Sequence, residues 1–266
     1  MAPTQVALLG SGIAYSASPA MQNAAFSALG LTWRYSILDL APEQLADAVD
    51  ALRQAEWAGA NVTIPYKVAV MEHLDRIEAE AEEAGAVNTV FKQGSSLVGR
   101  NTDVLGLRQG MKSLGHDPEL AGSGLKVLVL GGGGGARAVA VALRAAQLTW
   151  VLRGRRSGFE PPGEYLSWSQ PNWWERARAA DLLVNATPLG RAPGSGEELV
   201  RALPEHGGVI DLVYAAGGTP LVRAGRSGGS PVYDGWELLL AQGAAAFESW
   251  TGLKAPLQVM RQALEI

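Results

Sequence analysis

Short apolar runs alternate, along almost the whole chain, with stretches in which apolar residues return every three or four positions. The runs read as buried strands and the spaced stretches as amphipathic helices, so the pattern predicts repeated strand and helix pairs. Val6-Ala7-Leu8-Leu9 is the first strand. Ser18 stands where an N-cap is expected and Pro19 at the first helical position, ahead of a helix through Met21, Ala25, Phe26 and Leu29 that Gly30 closes. Trp33 to Leu38 alternates as a strand, and Pro42 opens a helix carrying Leu45, Val49 and Leu52. Ala60 to Ile64 predicts a strand, Pro65 the start of another helix, and Asp75 to Glu83 an acidic helix. Val87 to Phe91 and Ser96 to Gly99 read as a hairpin across Gln93-Gly94-Ser95.

A helix from Asp103 to Leu114 leads into a polar, glycine-bearing break, Gly115 to Gly124, and reads as a link between two domains. The alternation restarts with a strand at Leu125 to Leu130, a helix through Ala138, Val139, Val141, Ala142 and Leu143, and a strand at Leu148 to Leu152. Gly154 to Gln170 is loop-rich. Asp181 to Asn185 and Gly208 to Leu212 are buried strands. After Asp234-Gly235 the pattern is helical (Leu238, Leu239, Ala241, Ala245, Phe247), and a last helix lies near Pro256 to Leu264. The fold class is α/β.

The turn between the strand at Leu125 and its helix holds Gly131-Gly132-Gly133-Gly134-Gly135-Ala136-Arg137. Gly131, Gly133 and Ala136 occupy the G-x-G-x-x-G/A positions of a dinucleotide-binding turn. Glycine lets the backbone approach a pyrophosphate, and the helix start offers free N–H groups and a positive dipole end. An NAD site wants a carboxylate about twenty residues on, for the ribose 2′-hydroxyl. This chain has Arg153, Arg155 and Arg156 there. Guanidinium groups pair with a 2′-phosphate instead, so the cofactor expected is NADP. The bland alternatives are a flexible glycine loop and a solvated arginine turn.

Composition narrows the classes. A chain of 266 residues, 47% hydrophobic, holds one large domain or two of ordinary size. A net charge of −4 gives no bulk attraction to nucleic acid. The absence of cysteine excludes disulfides, thiolate catalysis and zinc–thiolate sites. His73, His116 and His206 form no pair at metal-ligand spacing, so no metal is expected. The N-terminus has no basic leader and no apolar segment has membrane-spanning length, so a cytoplasmic protein without a membrane partner is expected.

Four polar clusters stand at strand ends or helix starts: Ser16-Ala17-Ser18-Pro19, Asn61 to Lys67, Ala86-Val87-Asn88-Thr89 and Arg100-Asn101-Thr102-Asp103. Ligands of open α/β sheets bind beyond the strand ends, where these clusters converge. Taken singly, Ser18 or Asp103 reads equally as an N-cap, Asn88 as a turn and Lys67 as a surface lysine.

Together with Gly131 to Arg137, the motifs Tyr15-Ser16-Ala17-Ser18-Pro19, Asn61-Val62-Thr63-Ile64-Pro65-Tyr66-Lys67, Gly85-Ala86-Val87-Asn88-Thr89 and Asn101-Thr102-Asp103 resemble shikimate dehydrogenase. So do Asn185-Ala186-Thr187-Pro188-Leu189-Gly190, Asp211-Leu212-Val213-Tyr214 with Thr219-Pro220, and Asp234-Gly235 with Ala241-Gln242, in the same order over nearly the whole length. The resemblance implies NADP-dependent interconversion of 3-dehydroshikimate and shikimate, in aromatic amino acid biosynthesis. It implies a substrate domain of residues 1–102 and 237–266, and a Rossmann-like doubly wound NADP domain of residues 103–236. By motif, Ser16 and Ser18 bind the substrate carboxylate, Asn61, Thr63, Asn88, Asp103 and Gln242 hold its hydroxyls, and Lys67 with Asp103 forms the acid/base pair. The glycines Gly131, Gly132, Gly133, Gly134 and Gly135 with Ala136, the turn of Asn185, Ala186 and Thr187, Leu212 and Gly235 lie along the cofactor. Tyr214 lies near the join of substrate and nicotinamide. A monomer or homodimer is expected.

The chemistry suits these residue types. Hydride transfer to a ketone builds negative charge on oxygen, which an ammonium stabilises and protonates. A neighbouring carboxylate orients that ammonium and favours its charged form. Serine hydroxyls bind a carboxylate without adding charge that would draw the lysine away. The chain departs from the family pattern in three places. Gly154-Arg155-Arg156 replaces the usual Asn-Arg-Thr, Tyr15 stands where histidine is common, and Trp236 where a smaller residue is common, with packing its favoured role. The rival readings are an NAD-preferring quinate/shikimate dehydrogenase, a non-catalytic NADP-binding relative, and a reductase of folates or amino acids. Two domains joined by a helix and a returning tail suggest a cleft that opens and closes.

Overall fold

The computed structural model describes residues 3–120, 124–152 and 160–265. The chain divides into two compact units, Met1–Leu105 with Leu240–Ile266, and Gly106–Leu239.

The first unit is built on β1 (Thr4–Gly10), β2 (Trp33–Asp39), β3 (Trp57–Val62), β4 (Arg76–Ile77), β5 (Thr89–Gln93) and β6 (Ser96–Arg100), in the order β2-β1-β3-β5-β6-β4. The strands β2, β1 and β3 are parallel, whereas β5 is antiparallel to both β3 and β6. Residues that precede β5 therefore lie at the same sheet edge as residues that follow β1, β3 and β6. Its helices are α1 (Ser18–Ala28), α2 (Leu45–Ala51), α3 (Ala79–Ala84) and the start of α4 (Thr102–Ser113). The buried side chains Leu9, Val49, Val62, Val70 and Val90 pack one core of this unit.

The second unit carries β7 (Lys126–Leu130), α5 (Gly134–Ala142), β8 (Gln147–Leu152), β9 (Glu164–Ser167), α6 (Trp173–Arg178), β10 (Leu182–Asn185), β11 (Gly208–Asp211), α7 (Pro220–Ser227) and β12 (Val232–Tyr233). Its sheet is wholly parallel, in the order β12-β11-β10-β7-β8-β9. The winding reverses between β7 and β10, which makes that point the ligand-binding crevice of a doubly wound sheet. Such strands are buried on both faces, and Val127 to Leu130 are accordingly at most 1% exposed.

The chain ends in α8 (Gly235–Thr251) and α9 (Leu257–Ala263). Apolar contact brings the tail back to the first unit: Phe247 stacks on Phe26 at 5.4 Å, and Trp250 Nε1 donates to Val90 O at 2.9 Å. No helix among the described residues is long and apolar enough to cross a membrane.

Several local expectations are corrected. Ser18 is the first residue of α1 rather than its N-cap; Ala17 holds that place, and Ser16 Oγ accepts from Ser18 N at 3.3 Å. Pro65 does not start a helix, because Tyr66 N turns back to Thr63 O (2.8 Å) and Lys67 O is taken by Val87 N (2.7 Å). The acidic helix begins only at Ala79: Asp75 accepts from Leu97 N at 2.7 Å and leads Arg76–Ile77 into the sheet beside β6. The segment read as loop-rich contains the edge strand β9, held beside β8 with Trp150 Nε1 donating to Pro162 O at 2.6 Å. The helices α6 and α7 were not among the expected elements.

Candidate active site

In the first unit, backbone hydrogen bonds stitch the four polar clusters to one sheet edge. Thr63 N donates to Leu9 O (2.9 Å) and Ser11 N to Ile64 O (3.0 Å), joining the loops after β1 and β3. Lys67 O accepts from Val87 N (2.7 Å), and Asn88 N donates to Arg100 O (3.1 Å), which brings in the approaches to β5 and α4. Gly10 lies under this junction; a Cβ there would stand 2.7 Å from Thr63 Cγ2 and 2.9 Å from Ile13 Cγ2.

Lys67 and Asp103 meet at this edge. Lys67 Nζ donates to Asp103 Oδ2 at 2.6 Å, with the side chains 18% and 11% exposed. The pair is thus shielded enough for its attraction to count, yet open to a ligand. Asp103 is free for this role because Asn101 caps α4: Asn101 Oδ1 accepts from Asp103 N at 3.1 Å, and its Nδ2 donates to Ala86 O at 2.8 Å. Asn101→Ala is expected to cost about 1 kcal/mol of stability through the lost cap, measured by chemical denaturation.

A buried polar network lies beneath the pair. Asn88 Oδ1 accepts from Thr102 N (2.7 Å), Thr102 Oγ1 (3.1 Å) and Thr89 Oγ1 (3.1 Å). That donor set fixes the amide orientation and leaves Asn88 Nδ2 to meet a ligand acceptor. Asn61 is more committed. Its Nδ2 donates to Asn88 O and Thr89 Oγ1, both at 3.1 Å, and its Oδ1 accepts from Tyr35 OH at 2.8 Å. Both amide hydrogens of Asn61 are therefore used inside the protein, and a substrate contact would have only an Oδ1 lone pair. Tyr35 was not singled out by sequence, and Thr89 and Thr102, though members of the quoted clusters, were assigned no role, since their partners are mostly remote along the chain.

Ser16 is half-buried and Ser18 is 6% exposed, at the loop that follows β1. Thr63 is half-buried after β3, and Gln242 half-buried on α8. Next to Gln242, Gly243 O accepts from the buried Gln22 Nε2 at 2.9 Å, which fastens α8 to α1.

The second unit holds the glycine turn. Gly131 has φ +102°, and a Cβ there would lie 2.8 Å from Ala186 O, so only glycine fits. A Cβ on Gly133 would meet nothing within 4 Å, which leaves the backbone side open to a ligand. A Cβ on Gly135 would lie 2.7 Å from Leu212 Cδ2, and Ala136 is fully buried. These features, with the free first-turn N–H groups of α5, suit a dinucleotide pyrophosphate. Gly132 and Gly134 complete the turn at intermediate exposure. Arg153, Arg155 and Arg156 lie outside the described residues. Arg137, in the first turn of α5, is a cation that the sequence reading assigned no role; burial pushes its guanidinium pKa down.

Facing the glycine turn, Asn185 Oδ1 accepts from Thr187 N (3.1 Å) and Thr187 Oγ1 (2.7 Å), and Ala186 N donates to Leu130 O (2.9 Å). Asn185 Nδ2 in turn donates to Asp211 Oδ1 at 2.9 Å. Gly235 presses against the next segment: a Cβ there would stand 2.3 Å from Val213 C and 2.5 Å from Tyr214 N. Trp236 packs on Tyr214, ring centroids 4.8 Å apart, and its Nε1 donates to Ala215 O at 3.1 Å.

Burial pushes the Asp211 carboxyl from 3.8 up to about 6, against hydrogen bonds from Thr219, Val213 and Asn185 that lower it, with the charge of Asp234 also raising it. The folded chain thus binds this proton more tightly than the unfolded chain. The Asp211 contribution to stability is full below about pH 3.8 and is lost as pH rises through about 6, a difference of about 3 kcal/mol. The stability gap between wild type and Asp211→Asn is expected to move in favour of wild type as pH falls from 8 to 5. Denaturation curves of both proteins across that range measure it.

A wholly parallel sheet with such a glycine turn, in a chain that also holds an ammonium against a carboxylate, is the layout of a nicotinamide-dependent oxidoreductase. Residues 8–90 match the family described as shikimate dehydrogenase substrate binding domain, and residues 235–265 the shikimate 5′-dehydrogenase C-terminal domain. The shikimate dehydrogenase (NADP(+)) of Symbiobacterium thermophilum is 39% identical over 273 residues, 96% of this chain and 92% of that protein. The structure of shikimate 5-dehydrogenase from Thermus thermophilus, in complex with NADP(H) and shikimate, is 36% identical with a TM-score of 0.82 over 98% of each chain. The ligand-free 5-ketofructose reductase of Gluconobacter is 31% identical, with a TM-score of 0.81 over 99% of this chain and 98% of that one. The chain belongs to the shikimate dehydrogenase family.

Proposed function

We propose that the protein catalyses the reversible, NADP-dependent reduction of 3-dehydroshikimate to shikimate, in the biosynthesis of chorismate and the aromatic amino acids. The observation that carries this reading is the 2.6 Å contact of Lys67 with Asp103, in the same cluster as Asn88, whose Oδ1 accepts from Thr102 N. Bound NADPH supplies the hydride. Lys67 Nζ stabilises the negative charge growing on the ketone oxygen and gives it the proton. Asp103 holds the ammonium and accepts from a substrate hydroxyl. Ser16 and Ser18 donate to the carboxylate, and Thr63, Asn88 and Gln242 hold the remaining ring oxygens. Asn61 serves chiefly as a prop for Asn88. Residues 1–102 and 237–266 form the substrate domain and residues 103–236 the cofactor domain. Gly131 to Ala136 receive the pyrophosphate, and Arg153, Arg155 and Arg156 the 2′-phosphate. Asn185 to Thr187, Leu212, Tyr214 and Gly235 line the nicotinamide half. A cytoplasmic location accords with a diffusible substrate and cofactor.

A fold of this kind does not by itself choose a substrate, as the similarity to 5-ketofructose reductase illustrates. The deciding experiment compares kcat/KM for shikimate, quinate and fructose with NADP and NAD. The highest value is expected for shikimate with NADP. A clear NAD preference overturns the cofactor assignment, and a preference for fructose, which lacks a carboxylate, overturns the roles of Ser16 and Ser18.

A further inference from the structure

We propose that Asp211 is a positioning residue for the nicotinamide half of the cofactor, acting through the Asn185–Thr187 turn and the Leu212–Tyr214 segment. The inference rests on the NADP reading above.

Asp211 is fully buried at the carboxyl end of β11. Its Oδ1 accepts from Asn185 Nδ2 (2.9 Å) and Val213 N (3.0 Å), and its Oδ2 from Thr219 Oγ1 (2.6 Å). Burying an acidic side chain without a cationic partner is costly, and a core valine at this place would pack without that cost. What the carboxylate gains is a single acceptor shared by three separate segments. Through Asn185 it orders the turn in which Asn185 Oδ1 binds Thr187 N and Oγ1, while Asn185 Nδ2 also reaches Leu189 O at 3.1 Å. That turn abuts Gly131. Through Val213 N it fixes the segment that places Leu212 against Gly135 and carries Tyr214. Through Thr219, whose Oγ1 accepts from Val222 N at 3.1 Å, it reaches the N-cap of α7.

The half of the cofactor concerned follows from topology. A dinucleotide spans the reversal between β7 and β10. The arginine cluster that would take the 2′-phosphate follows β8, so the adenosine half belongs on that side. The nicotinamide half then falls on the side of β10 and β11, the two strands whose ends Asp211 links.

The test compares NADP with 2′,5′-ADP, which carries only the adenosine half and its phosphates. Asp211→Ala is expected to raise the KM for NADP about tenfold, the effect of one lost charge-assisted hydrogen bond. Inhibition by 2′,5′-ADP is expected to stay within about twofold of wild type, since its adenosine and 2′-phosphate belong to the β8 side of the crevice and it shares only the 5′-phosphate contact with the glycine turn. Asp211→Asn keeps an acceptor oxygen for Asn185 and Val213 and is expected to restore most of the NADP affinity. Should Asp211→Ala fail to fold, Asn185→Ser cuts the same link and is expected to show the same selective loss. Equal weakening of both ligands marks a merely structural role and overturns the proposal, as does unchanged NADP affinity in either variant. Wild-type protein that prefers NAD instead signals failure of the NADP reading, independently of Asp211.

Discussion

Lys67→Ala is expected to lower kcat for shikimate oxidation by about 10³-fold, within the usual range for loss of a positioned proton-transfer group. The structure gives the reason. The Lys67 ammonium is held 2.6 Å from Asp103 by a turn that its own carbonyl anchors to Val87. Removing it leaves the developing oxyanion without a cation and without a proton source, and it leaves Asp103 as a nearly buried, unpartnered carboxylate that repels that oxyanion. Dissociation constants for NADP are expected to stay at wild-type values, because the glycine turn belongs to the other compact unit. Steady-state kinetics with cofactor titration measures both. Turnover at the wild-type rate in this variant would remove Lys67 from the mechanism.

Gly235→Ala is expected to damage the cofactor unit severely. The added Cβ would lie 2.3 Å from Val213 C and 2.5 Å from Val213 O, atoms of the backbone that cannot rotate away. The start of α8 would have to move from the Val213–Tyr214 segment, although Asp234 Oδ1 holds it by accepting from Trp236 N (3.0 Å) and Glu237 N (3.1 Å). Overpacking of this severity costs about 3 kcal/mol. The KM for NADP is expected to rise at least about tenfold as Tyr214 and Leu212 are displaced. Thermal denaturation and cofactor titration of the purified variant measure the two effects. A variant with unchanged melting and unchanged affinity would mean that this close approach is dispensable.

Much of the fold was legible because its signals are local. The glycine turn declares itself by residue type, although what requires glycine at position 131, an Ala186 carbonyl where a side chain would sit, comes from a distant segment. Lys67 and Asp103 were legible as members of motifs, and the strands of both sheets as apolar runs. What escaped depends on distant partners. Pro65 carries a helix-start signal, which the claim of Val87 on the Lys67 carbonyl overrides. Tyr35 looks like any strand tyrosine until its hydroxyl meets Asn61. Asp211 ends a buried strand, and nothing near it in sequence announces Asn185 as its partner. The helix α6 is too short to show periodicity; Trp173 and Trp174 are held instead by Arg201, whose guanidinium lies 4.0 Å from the Trp174 ring. The start of α7 did carry a readable signal in Thr219-Pro220, a hydroxyl N-cap followed by proline.

The most direct test is to supply purified protein with 3-dehydroshikimate and NADPH, follow the nicotinamide absorbance, and identify the product by chromatography. The account predicts that one NADPH is consumed for each shikimate formed. NADPH left unoxidised, or oxidised without shikimate appearing, would contradict it.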